Sequence, residues 1–234
     1  MKYVSIVLVV LSGILLGATE RERPREEIKT VYVAIFLYNG VELLDFSGPA
    51  EVFAATAFRD EQGQYRRPFK VYTVAKNTEP ILSQGFLRVV PDYSVANAPT
   101  ADIVVLPGGA TGSSRRTPEV MEWVKNSSKK AKIMMSVCTG AFLLGDAGLL
   151  KNKTATTWYG AIERFKNAYP ETEVLENTRY VDHGNIVTTA GVSAGIDGAL
   201  HIVGRWINPE TARSTAEYME YDKWVPQDGT VIAP

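Results

Sequence analysis

The sequence predicts an α/β domain built on a mostly parallel sheet covered by helices. Three observations predict it. From residue 30 onward, short β-rich runs alternate with helical patterns, the order expected when helices cross over between parallel strands. A hydrophobic fraction of 45% with 22% charged residues is that of a globular chain, and no stretch is poor enough in apolar residues to stay unfolded. Finally, the apolar run at residues 132–137 leads directly into Cys138 and then, within two residues, into a helical pattern, which is a strand-to-helix elbow.

The first 27 residues stand apart from this domain. Met1 and Lys2 precede an apolar run over residues 3–18, and a charged segment follows, the order of an export signal. The run is shorter than the roughly 20 apolar residues of a spanning helix. Export to the periplasm or exterior is therefore expected, with an uncleaved membrane anchor as the alternative. A cut after Ala18 would leave Leu16 where a small residue is preferred. One domain is expected over residues 28–225, followed by an irregular tail over 226–234.

Within the domain, residues 31–38 read as the first strand, broken by Asn39-Gly40. Ser47-Gly48-Pro49 reads as a helix start, with Ser47 as N-cap, Pro49 near the first helical position, and the helix running through Phe58. Residues 69–75 form a second strand. Residues 103–106 form a short buried one, stopped by Pro107-Gly108-Gly109. Thr117-Pro118-Glu119 opens the next helix, and residues 132–137 form the strand before the cysteine. Beyond it, residues 140–147 and 158–168 read as helical, the latter ending before Pro170. Residues 180–188, interrupted at His183-Gly184-Asn185, read as a β-hairpin. Helices over 193–206 and 210–221 complete the domain.

Composition narrows the chemistry. With 25 basic against 26 acidic residues there is no cationic excess to neutralise phosphates, so nucleic acid is not an expected partner. The single cysteine excludes an internal disulfide and a multi-cysteine metal site, and two histidines make a poor metal centre, so neither metal nor cofactor is expected.

A lone cysteine by itself reads as a small buried hydrophobe. The surroundings of Cys138 point elsewhere. Gly140 gives the room a sharp elbow needs, and free N–H groups at a helix start favour a thiolate, so an unusually acidic thiol is expected. The carboxyl ends of parallel strands converge on one sheet edge, which should gather Asp45, Gly108, Gly109 and Cys138. The N–H groups of Gly108 and Gly109, with that of Thr139, could form an oxyanion hole. Asp45 could carry a proton to or from the sulfur; otherwise it is a solvated loop carboxylate.

Four ordered motifs then carry a resemblance: Leu44-Asp45-Phe46-Ser47-Gly48-Pro49-Ala50-Glu51-Val52-Phe53, Leu106-Pro107-Gly108-Gly109, Ser136-Val137-Cys138-Thr139-Gly140-Ala141 and Ala190-Gly191-Val192-Ser193-Ala194-Gly195-Ile196-Asp197. Spread over residues 31–221, they resemble the ThiJ/PfpI superfamily. Within it they look most like the branch of isonitrile hydratase and the sensor domains of AraC-like regulators. The resemblance implies a flavodoxin-like three-layer sandwich and a homodimer. It also implies Cys138 as nucleophile, Asp45 as its acidic partner, and the backbones of Thr139 and Gly109 as oxyanion donors. The matched position of Trp158 faces the active site in that family. The branch commonly has a histidine after an Ala-Thr-Thr stretch, whereas this chain reads Ala155-Thr156-Thr157-Trp158. No helix-turn-helix modules follow the domain, so a transcription regulator is not expected.

Two readings fit this sequence. One is a cofactor-free enzyme that hydrates or hydrolyses a small electrophile through Cys138, of hydro-lyase or related hydrolase or glyoxalase type. The other is a non-catalytic protein that binds a ligand or senses oxidants through a reactive Cys138.

Overall fold

The computed structural model describes residues 29–221 and 224–232, so the expected export segment lies outside the described residues. The framework alternates as the sequence indicates. Strand β1 (Val31–Phe36) is followed by helix α1 (Leu43–Ala55), β2 (Phe69–Ala75), β3 (Tyr93–Ser94), β4 (Ile103–Leu106) and α2 (Pro118–Ser128). Next come β5 (Ile133–Val137), α3 (Ala141–Asp146), α4 (Ile162–Ala168), and the hairpin β6 (Tyr180–His183) and β7 (Ile186–Thr189). Helices α5 (Ala194–Trp206) and α6 (Pro209–Tyr218) precede a last strand, β8 (Thr230–Val231).

These strands form one sheet in the order β8-β6-β7-β5-β4-β1-β2-β3. Every neighbouring pair is parallel except the hairpin β6 and β7. Strands β4 and β5 are buried along their whole length, as the central strands of a sheet covered on both faces must be. Helices α1, α5 and α6 pack on one another, while α2, α3 and α4 form a second group in which Phe142 and Phe165 meet edge to face at 4.9 Å. The result is a helix-sheet-helix sandwich with its core on both faces of the sheet.

Two local expectations are corrected. Helix α1 begins at Leu43, not after Ser47, and its N-cap position, Glu42, makes no side-chain capping bond. Ser47 lies inside the helix and donates its hydroxyl to the Leu43 carbonyl at 2.8 Å, while Pro49 sits a further two residues in. Backbone pairing starts the helix early: Val41 bridges Gly109, and the Glu42 N–H donates to the Gly108 carbonyl at 2.9 Å. Thus a Pro that reads as a start signal is an interior residue, one that gives up the backbone bond to the Asp45 carbonyl. The tail also departs from an irregular segment. Thr230 and Val231 add a parallel edge strand to β6, with Val181 opposite Thr230.

Candidate active site at the sheet edge

The carboxyl ends of β1, β4 and β5 lie side by side, and the predicted residues gather there. Cys138 follows Val137 directly and opens a single 3-10 turn, Cys138–Gly140, before α3. Its backbone adopts φ = 57°, in the left-handed region that costs a non-glycine residue about 1–2 kcal/mol. Several bonds impose this conformation. The Cys138 N–H donates to the Ala190 carbonyl at 3.0 Å, and the Thr157 hydroxyl donates to the Cys138 carbonyl at 2.8 Å. Gly140 is pressed so closely on β4 that a Cβ there would stand 1.9 Å from the Leu106 carbonyl oxygen. The elbow therefore needs glycine at 140 for backbone-to-backbone contact.

Asp45 is no solvated loop residue. It lies in the first turn of α1, 0% exposed, and its carboxylate accepts two backbone N–H groups. Gly108 donates to Oδ2 at 2.9 Å and Val192 donates to Oδ1 at 3.1 Å. Gly108 is wedged between the pair: a Cβ there would lie 2.8 Å from both Asp45 Oδ2 and Cys138 Cβ. Burial pushes the Asp45 carboxyl up to about 7, and nearby Glu42 adds to it, against the two amide donors that pull it down.

The expected acidity of the thiol is overturned. Cys138 is only 7% exposed, and burial first, then the charge of Asp45, push its thiol up to about 12. The N–H and hydroxyl of Thr139 face the sulfur and pull the other way, with less effect. Only a 3-10 turn and a six-residue helix follow the sulfur, so the helix dipole available to a thiolate is small. Between these two values the pair holds one proton, a coupled unit rather than two independent groups.

The glycine pair is assigned differently from the expected oxyanion hole. The Gly108 N–H is taken by Asp45, and the Gly109 N–H donates to the Thr139 hydroxyl at 3.0 Å. Gly109, at φ = 109°, also packs against the backbone of residues 40–42, where no side chain would fit. Of the three anticipated donors, the Thr139 N–H is the one that faces the sulfur.

Trp158 stands beside this centre. Its indole covers Gly191, where a Cβ would lie 2.5 Å from Cδ1, and it meets Tyr159 at 5.1 Å. Both histidines lie at the other end of the sheet. His183 pairs with Ile186, which is opposite Met134 near the start of β5, and His201 Nε2 is 2.6 Å from Asp182 on β6. Neither can pair with Cys138.

Sequence reasoning missed three contributors. Val192, a β-branched residue at φ = 54°, presents its N–H to Asp45, and only its place in the motif at 190–197 hinted at it. Thr157, in the Ala-Thr-Thr stretch, fixes the elbow carbonyl. Tyr38, read simply as the end of the first strand, directs its phenol at the Pro107 and Gly108 carbonyls.

A strand-to-helix elbow bearing a cysteine, with a buried carboxyl beside it and a parallel sheet beneath, defines a cysteine-centred α/β domain of the sandwich type. The chain belongs to the DJ-1/PfpI family, whose pattern matches residues 30–205. It is 29% identical over 198 residues to the isonitrile hydratase of Pseudomonas putida, covering 84% of this chain and 81% of that protein. It is 24% identical over 158 residues to the HTH-type transcriptional regulator GbdR of Pseudomonas aeruginosa, covering 68% of this chain and 43% of the regulator. Among solved structures, a ThiJ/PfpI family protein from Pseudomonas syringae superposes with a TM-score of 0.74 at 26% identity, over 92% of this chain and 84% of that one.

Proposed function

We propose that this protein is a cofactor-free enzyme that adds water to a small, uncharged electrophile through Cys138, with Asp45 as the proton carrier. The observation that carries the reading is the elbow cysteine held at positive φ with the fully buried Asp45 carboxyl beside it, across Gly108. The likeness to isonitrile hydratase supplies the reference reaction. Sγ would bond to the terminal isonitrile carbon while the shared proton passes to the same carbon, giving a thioimidate. Water then adds to that carbon, one of its protons passing through Asp45 to the imine nitrogen, and the C–S bond breaks as the remaining hydroxyl proton returns through Asp45 to sulfur, releasing an N-substituted formamide and restoring the thiol. Dividing one hydration into two steps lowers each barrier. The indole of Trp158 beside the site favours small or apolar substrates.

The test is a panel of alkyl isonitriles and methylglyoxal assayed with the purified protein and with Cys138→Ser. Turnover by the wild type and none by the variant is the expected result; turnover surviving the substitution removes Cys138 as nucleophile.

One observation favours a second reading, a ligand-binding or oxidant-sensing protein: both imidazoles lie at the far end of the sheet, so no histidine assists the thiol. Absence of turnover together with selective peroxide oxidation of Cys138 would establish it. The proposal includes export, checked by cell fractionation, and a homodimer, checked by sedimentation.

A further inference from the structure

We propose that Tyr38 is a positioning residue for Asp45, acting through the peptide that joins Pro107 to Gly108. This rests on the reading of Asp45 as proton carrier for Cys138. The phenol of Tyr38 is buried, and its oxygen lies 2.9 Å from the Pro107 carbonyl and 2.6 Å from the Gly108 carbonyl. A phenol has one proton to share between two acceptors. The contact to Gly108 is the shorter, but that carbonyl also receives the Glu42 N–H at 2.9 Å, whereas among the described residues Tyr38 is the one donor to the Pro107 carbonyl.

That carbonyl and the Gly108 N–H are the two poles of a single planar peptide. The Gly108 N–H is 2.9 Å from Asp45 Oδ2. Phenol, peptide and carboxyl thus form a chain of hydrogen bonds with a common direction, and each bond in such a chain polarises the next. Donation to the carbonyl makes the opposite N–H a better donor, which favours ionised Asp45. It also fixes the plane of the peptide, and with it the side from which Asp45 is held against the sulfur.

The other titratable groups around Asp45 do not supply this. Cys138 approaches from the elbow, and Glu42 precedes the same helix and opposes ionisation of Asp45. Helix α5, packed on α1, contributes Asp197, which is tied to Arg179 and to the Tyr221 hydroxyl.

The experiment measures the rate at which Cys138, the only cysteine in the chain, is alkylated by uncharged iodoacetamide as a function of pH. No substrate is needed. The wild type should show an inflection near pH 7, where the pair loses its first proton. Tyr38→Phe should move it upward by about half a pH unit or more, about a threefold change in proton affinity. Site-specific 3-fluorotyrosine at position 38, a stronger donor of nearly the same size, should move it downward, and it decides the matter should the phenylalanine variant fail to fold. Tyr72→Phe, which removes a comparable 2.7 Å bond to the Pro99 carbonyl away from the site, should leave the inflection in place.

A Tyr38→Phe profile superimposable on the wild type, or an equal movement in Tyr72→Phe, overturns the assignment. Isonitrile turnover measured alongside separates the two claims. Movement of the inflection without turnover supports the role of Tyr38 and removes the hydratase reading, whereas turnover without movement does the reverse.

Discussion

Replacing Asp45 by Asn tests the electrostatics of the site through stability alone. Asp45 is raised from 3.8 to about 7, so the folded protein holds its proton over a range in which the unfolded chain has released it. A carboxyl displaced upward contributes stability that is complete below pH 3.8 and is lost as pH rises through 7. The displacement is about three pH units, and at about 1.4 kcal/mol each the loss is of order 4 kcal/mol. Asn cannot ionise and is spared it. Asn carries its own penalty, because its NH2 must face either the Gly108 or the Val192 donor, leaving two donors opposed at a cost of about 1–3 kcal/mol. Asp45→Asn should therefore be the less stable protein at pH 4, equal the wild type near about pH 5–6, and be the more stable one at pH 8. Urea denaturation of both proteins at half-unit intervals from pH 4 to 8 measures the difference, in which every other titrating group cancels to first order. Two stability curves that run parallel across this range would falsify the account of Asp45 as a carboxyl whose proton is retained by burial.

Gly140→Ala should lower stability by more than about 3 kcal/mol or abolish folding, because its Cβ meets the Leu106 carbonyl in a neighbouring strand that cannot yield; thermal unfolding measures this. Ser136→Ala should be neutral or stabilising by about 1 kcal/mol, since among the described residues nothing pairs with the fully buried Ser136 hydroxyl. A loss above that size in chemical denaturation would show that the hydroxyl has a partner.

Much of this fold was legible because its signals are local. The strand Ile103–Leu106 ends where Pro107-Gly108-Gly109 ends it, and the hairpin turns at Gly184 and Asn185, between His183 and Ile186, as its composition requires. Signals failed where distant pairing decided the outcome. Ser47 and Pro49 look like a helix start, but pairing of Val41 and Glu42 with Gly109 and Gly108, far along the chain, starts α1 at Leu43. Thr230 and Val231 are too few to show a strand period, and only β6 makes them one.

The site divides in the same way. The gathering of Asp45, Gly108 and Cys138 follows from parallel topology, which residue spacing conveys. Their protonation does not. Asp45 is buried and accepts the N–H of Val192 from 147 residues away, and its charge adds to the burial that raises the thiol. Composition contains no trace of which amide will be spent on which acceptor, so Gly108 and Gly109 could be named without their partners being known.

The bonds from Cys138 to Ala190 and from Val192 to Asp45 join the elbow and α1 through one loop near the end of the chain. Closing a loop of such length costs entropy before any contact repays it, so late formation of this junction is the expected order of folding. During synthesis the thiol emerges well before its seat exists. In the unfolded chain Cys138 is an ordinary cysteine, and the finished protein is the form in which that sulfur is buried and restrained.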